Sequence, residues 1–195
     1  MPEKKSRKRG DELTDEIYKV ALEIVRKDGY MALNFNEVAK RAETSRSVLY
    51  RRWDTPFELM FEAARHGVPE RKASDFDTGS LRGDLLAILN TYWASTNARM
   101  GFLAVATALE VSRGNQAVAK RIQNIRDINK TRLNEIFDRA IERDEMKRYP
   151  AEVVYNVVLN HIRLVVMWDL TVTKEDIVSL VDDVWMPSIL TAQAD

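Results

Sequence analysis

The sequence predicts an all-α protein of about nine helices, in which a short helix-turn-helix domain precedes a larger helical one. Three observations carry that expectation. Apolar residues recur at helical spacing through most of the 195 residues. The sustained apolar/polar alternation of half-buried strands is lacking, and the breaks between periodic segments fall at a few of the seven glycines and five prolines. With 45% hydrophobic and 31% charged residues, the chain has the material for a packed core and not the composition of a disordered one.

In the first helix Leu13, Ile17, Val20, Ala21, Ile24 and Val25 line one face, and Gly29 is a natural stop. Asn34 opens a second, short helix. Its side chain is suited to accept from a free N–H of the first turn, while Glu37 three residues on can reach back as in a capping box. That helix turns Val38 and Ala39 inward and ends near Ala42; Thr44 or Ser45 caps a third, which runs to Trp53. Thr55-Pro56-Phe57-Glu58 opens a fourth, with threonine as cap and proline in the first helical position. The stretch Gly67 to Gly79, rich in Pro, Gly, Ser and Asp, reads as a connector, so two domains are expected, residues 1–66 and 67–195. Helices resume at Leu81–Asn97, Phe102–Ser112, Gln116–Arg143, Pro150–Leu170 and Lys174–Leu190.

Composition removes several classes of function. No cysteine is present, which excludes disulfides, thiolate metal sites and cysteine nucleophiles and fits a reducing cytoplasm. His66 and His161 lack metal-ligand spacing, no Gly-rich phosphate loop occurs, and no carboxylate pair stands out from a solvated helix face, so neither metal, cofactor nor catalysis is expected. The basic start Lys4-Lys5-Ser6-Arg7-Lys8-Arg9 runs into Gly10-Asp11-Glu12, unlike a signal peptide. The most apolar region, Val153 to Leu170, is broken by Asn156, Asn160, His161, Arg163 and Asp169, which argues against a membrane span. A net charge of zero conceals an asymmetry: residues 1–53 carry 13 Lys/Arg against 9 Asp/Glu, the remainder 17 against 21. A polyanion would therefore meet the N-terminal end.

The segment from Asn34 to Trp53 carries the functional signal. Small Ala39 and Ala42 permit a close, steep approach of two short helices, and Val48, Leu49 and Trp53 pack the second of them. Its outward face then bears Arg46, Ser47, Tyr50 and Arg51, donors long enough for a major groove, arginine suiting guanine edges and tyrosine a phosphate. Val38-Ala39, Ala42, Ser45 and Leu49-Tyr50-x-x-Trp53, with Gly29-Tyr30 before them and Glu58-Leu59 after, resemble the DNA-binding domain of TetR/AcrR-type regulators over about residues 13 to 60. Two positions depart from the family pattern. Glu43 stands where the turn usually has glycine, at a cost of about 1 kcal/mol if the left-handed conformation is kept. Pro56 stands where the family tends to have a phosphate-binding lysine.

On this resemblance Asn34, Thr44, Ser45, Arg46, Ser47, Tyr50, Arg51 and Arg52 are the candidate DNA-binding residues, and the arm Lys4 to Arg9 can reach a minor groove or the backbone. The resemblance also implies that the second domain receives a small-molecule effector, with Phe61, Tyr92, Trp93, Asn97, Met100, Phe102, Ile125 and Asn129 as candidate lining, and Met60 and Phe61 placed to relay motion. The last two helices are apolar on more than one face. The resemblance implies that they form a homodimer interface, presenting two reading heads to a pseudo-palindromic double-stranded DNA operator. Repression released by ligand is the implied activity. The competing reading is an all-α ligand-binding or interaction module that does not bind DNA.

Overall fold

The computed structural model describes residues 10–68, 71–95, 98–168 and 172–191, without the side chains of residues 92–95, 98–100, 155, 166 and 167. The chain divides into two compact units, Met1–Val68 and Pro69–Asp195. Every regular element among the described residues is helical.

In the first unit, α1 (Asp11–Asp28) buries Ile17, Val20, Ala21, Ile24 and Val25 as one stripe. Asp11 and Glu12 in its first turn, with Arg26 and Lys27 in its last, complement the helix dipole. Gly29 ends α1 at φ 84°, and a 3-10 turn (Tyr30–Ala32) leads into α2 (Phe35–Arg41). Asn34 caps α2, its Oδ1 accepting from the Glu37 N–H at 2.9 Å. The Glu37 carboxylate does not reach back to complete the capping box. It accepts from Arg41 Nε at 2.7 Å, because a charge-assisted bond one turn along outcompetes a neutral backbone donor. α3 (Arg46–Arg52) and α4 (Pro56–Arg65) follow, the latter capped by Thr55 Oγ1 on the Glu58 N–H at 3.2 Å. α4 packs along α1 and buries Phe57, Leu59, Met60, Ala63 and Ala64.

The second unit starts with a 3-10 turn (Ala73–Phe76), then α5 (Leu81–Ser95), α6 (Ala98–Ser112), α7 (Gln116–Glu142) and α8 (Glu152–Met167). The final rod is α9 (Lys174–Ser179), a π-helical turn (Leu180–Trp185) and α10 (Met186–Thr191). Its backbone stays right-handed helical at the junctions Leu180 and Met186, so the described residues form nine helical rods. The core joins Leu81, Leu85, Ile88 and Leu89 of α5 to Leu133, Ile136 and Phe137 of α7, and to Val158, Ile162, Val181 and Trp185. Trp185 reaches across to donate from Nε1 to the Val154 carbonyl at 2.8 Å, so the indole is buried with its one polar atom satisfied.

A single helix-ending device recurs in both units. α2, α6 and α7 each stop with one residue at positive φ, Glu43 (51°), Gly114 (83°) and Asp144 (59°). The next residue's N–H then returns to a carbonyl of the last turn: Thr44 to Ala39 at 3.0 Å, Asn115 to Glu110 at 3.0 Å, Glu145 to Ala140 at 2.9 Å. Only one of the three is the glycine this conformation favours.

Below the start of α5 lies a buried ionic cluster. Asp84, fully buried, accepts from the Thr78 N–H (2.7 Å), Thr78 Oγ1 (2.8 Å), Arg139 Nη2 (3.3 Å) and Arg143 Nη2 (3.2 Å). Gly83 makes room for it, since a Cβ there would stand 2.1 Å from Thr78 Oγ1. The cluster fastens the segment ahead of α5 to the far end of α7.

Candidate DNA-binding interface

α2 and α3 meet across the tight turn at Glu43, with Val38, Ala39 and Ala42 buried on one side and Leu49 and Trp53 on the other. Glu43 adopts the left-handed conformation that the family pattern demands, glutamate notwithstanding. The position of α3 is fixed by what lies behind it. Trp53 Nε1 donates to Glu62 on α4 at 2.6 Å, and the Tyr18 phenol on α1 donates to the same carboxylate oxygen at 3.1 Å. Burial, reinforced by the Glu62 carboxylate, pushes the Tyr18 phenol up to about 12, so it stays a donor at any physiological pH.

With Leu49 and Trp53 inward, helical geometry places Arg46, Ser47, Tyr50 and Arg51 on one exposed arc. Tyr50 is 63% exposed, and an edge-on contact with Phe35 (centroids 4.9 Å apart, planes at 86°) steadies its ring. Arg46 Nη1 donates to Asn36 Oδ1 at 3.2 Å. Arg51 makes no hydrogen bond or ion pair among the described residues. α3 contains no acidic residue, so nothing on its own surface offsets these cations.

The other candidates occupy different roles. Arg52 faces away from the arc and braces α3 against α1, donating to Thr14 Oγ1 at 2.6 Å with its guanidinium 5.8 Å from the Trp53 ring. Asn34 is committed to the cap of α2, its Nδ2 donating to the Ala32 carbonyl at 3.0 Å. Ser45 and Ser47 share a hydrogen bond of 2.9 Å at the start of α3, and half-buried Thr44 lies in the turn itself. The basic arm Lys4 to Arg9 lies outside the described residues. At Pro56 the start of α4 is already satisfied: Thr55 caps it, and the Glu58 carboxylate accepts from the Asp54 N–H at 3.0 Å. Two residues absent from the sequence-based set join the surface. Asn36 holds Arg46, a contact over ten residues with no local signal, and Lys40 stands exposed and unpaired among the described residues.

In the helical unit, α8 presents two apolar faces. Val158 and Ile162 enter the core, while Val153 (67% exposed), Val157 and Leu164 form a stripe on the opposite side, continued by Trp168 (71%) just past the helix end. Val178, Val184 and Leu190 of the final rod are exposed as well. Two clefts of note open among the described residues of this unit. One of about 400 Å³ lies between α8 and the π turn, bordered by His161, Val165, Asp176 and Asp183. The other, about 310 Å³, lies between α7 and α8 and takes in Asn129. Of the remaining effector candidates, Phe102 on α6 and Ile125 on α7 are half-buried. Asn97 lies outside the described residues, as do the side chains of Tyr92, Trp93 and Met100. Met60 is fully buried, and Phe61 packs within the first unit against Phe57 (6.1 Å) and Arg65 (5.6 Å).

A tri-helical scaffold holding an acid-free, donor-rich helix outward defines a helix-turn-helix regulator. Residues 17–63 match bacterial regulatory proteins of the tetR family, and residues 76–184 match the tetracyclin repressor-like C-terminal domain. The chain belongs to the tetR family of bacterial transcriptional regulators. It is 27% identical over 177 residues to an uncharacterized HTH-type transcriptional regulator of Mycobacterium tuberculosis, covering 89% of this chain and 86% of that one. It is 35% identical over 81 residues to the DNA-binding transcriptional repressor TetR of Mycobacteroides abscessus, covering 42% of this chain and 43% of the relative. Its fold is similar to FadR of Bacillus subtilis, solved in complex with stearoyl-CoA, with a TM-score of 0.66 at 19% identity over 89% of this chain and 96% of that one. The TetR family transcription regulator SCO0332 aligns with a TM-score of 0.58 at 21% identity, over 90% and 97% of the two chains. No helix among the described residues is long and apolar enough to cross a membrane.

Proposed function

We propose that the chain is a cytoplasmic homodimeric repressor that places α3 in the major groove of each half of a pseudo-palindromic operator and is released by a small-molecule effector. The observation that carries this reading is the exposed arc of Arg46, Ser47, Tyr50 and Arg51 on a helix without a single carboxylate. Arg46 and Arg51 read base edges or grip phosphates, Tyr50 and Ser47 donate to the backbone, and Thr44 and Ser45 approach it from the turn. Asn34 and Arg52 contribute by fixing α2 and α3.

The N-terminal unit is the DNA-binding domain, and the helical unit dimerises and senses. The stripe Val153, Val157, Leu164 and Trp168, with Val184 and Leu190, supplies an apolar surface for a second copy, giving two reading heads related by a twofold axis. The effector reading rests on the clefts of the helical unit, on the family, and on a fold relative solved with stearoyl-CoA. A ligand that prefers one conformation of the dimer shifts the head-to-head spacing away from the operator; without that differential affinity it shifts nothing.

Selection from a random duplex pool at several salt concentrations tests the reading. Wild type enriches a pseudo-palindrome, and Arg46→Ala relaxes one position in each half-site. Enrichment of nothing by a folded dimer would establish the interaction-module reading instead.

A further inference from the structure

The first turn of α2 holds two reading side chains of α3. Phe35, 4% exposed, meets the Tyr50 ring edge-on at 4.9 Å, and its exposed neighbour Asn36 accepts from Arg46 Nη1 through Oδ1 at 3.2 Å. Arg46 and Tyr50 stand four residues apart, on one face of α3. Adjacent residues of one helix thus steady consecutive turns of the other.

Arg46 is the first residue of α3, directly after the N-cap Ser45. A cation there faces the positive end of the helix dipole, so the stability of α3 gives no reason for it. That end of a recognition helix is the one whose side chains meet base edges. Arg51, near the other end, is exposed and without a partner among the described residues. An unheld arginine can follow a phosphate on its flexible stem, whereas paired donation to guanine O6 and N7 requires the guanidinium plane to be set. The bond to Asn36 uses one of the five N–H donors of Arg46, and four remain. The holder is also an amide. On the same helix Arg41 is gripped by the Glu37 and Asp28 carboxylates, which cancel its charge, while the Asn36 oxygen leaves the charge of Arg46 intact for DNA.

We propose that Asn36 determines sequence specificity through Arg46, as a positioning residue that aims the guanidinium at a guanine edge. The proposal rests on the repressor reading above and says which arginine of α3 reads sequence and what aims it. Without Asn36 the guanidinium turns to a neighbouring base or a phosphate, and wrong sequences gain on the right one.

Selection from a random duplex pool tests it, followed by competition between the enriched duplex and one altered at the base pair that Arg46→Ala relaxes. Asn36→Ala should cut the preference at that pair about tenfold, with Tm, non-specific affinity and salt slope unchanged. Asn36→Asp keeps the acceptor, so it should retain the preference while its added charge weakens binding to all DNA together. In the Arg46→Ala background, Asn36→Ala should change nothing further. A preference that survives Asn36→Ala would overturn the proposal. So would an equal loss in Asn36→Asp, or additive losses in the double variant, because Asn36 would then touch DNA directly. Wild type that enriches no duplex removes the repressor reading and this one with it. Wild type that enriches an operator whose preferences Asn36→Ala leaves alone loses only the role of Asn36.

Discussion

α2 and α3 are helices of equal length, seven residues each, and both end in a pair of basic residues, yet they present opposite surfaces. On α2, Arg41 is neutralised twice, by Glu37 at 2.7 Å and by Asp28 at 2.8 Å. These hydrogen bonds, to Glu37 first, raise its already high pKa further. On α3 there is no acid, and Arg51 is exposed and unpaired among the described residues. α2 carries two cations, Lys40 and Arg41, beside one carboxylate, and α3 carries three beside none. Lys40 of α2 is also unpaired among the described residues, so what sets α3 apart is three cations with no carboxylate on the same helix, held on a rigid apolar footing.

The largest test strikes that footing. Leu49 is fully buried, and Leu49→Ala should lower the stability of the N-terminal unit by about 2–5 kcal/mol, read from urea unfolding, with DNA binding lost alongside. A loss below ~1 kcal/mol would mean α3 is not seated as described. The next test concerns the charges themselves. Arg51→Ala should weaken DNA binding about tenfold or more and flatten its salt dependence, while Arg41→Ala should leave affinity within about twofold. Similar losses from both would erase the distinction between the helices. The smallest effect is in the turn joining them. Glu43→Gly should raise stability by roughly 0.5–1 kcal/mol, relief of the left-handed backbone outweighing the entropy glycine adds to the unfolded chain. A destabilised variant would show that the Glu43 side chain contributes something its φ angle conceals.

Most of the N-terminal unit was legible because its signals are local. Asn34 and Thr55 as caps, Pro56 at the first helical position, Gly29 as stop and Glu43 in the turn all act within four residues of where they are read. What escaped was set by distance. Arg52 lies on the candidate list for DNA, but Thr14, 38 residues earlier, holds its guanidinium. Nothing near Asn36 in sequence announces its bond to Arg46. The final helix read as uniform from Lys174 to Leu190, whereas the structure has a π turn at Leu180–Trp185, where Trp185 bonds a carbonyl 31 residues back on α8. The effector candidates are not separable from core residues by sequence alone, since an aromatic at helical spacing reads the same whether it faces a core or a cleft.

The Asp84 cluster gives the molecule two unlike responses to ionic strength. Any grip of α3 on phosphates is made at the open surface, where added salt competes and affinity falls steeply. Asp84 itself is fully buried and Arg139 and Arg143 are only partly exposed, so their pairing is screened less than charges at the open surface. Added salt therefore acts less on the tie between the connector and α7 than on any phosphate contact of α3.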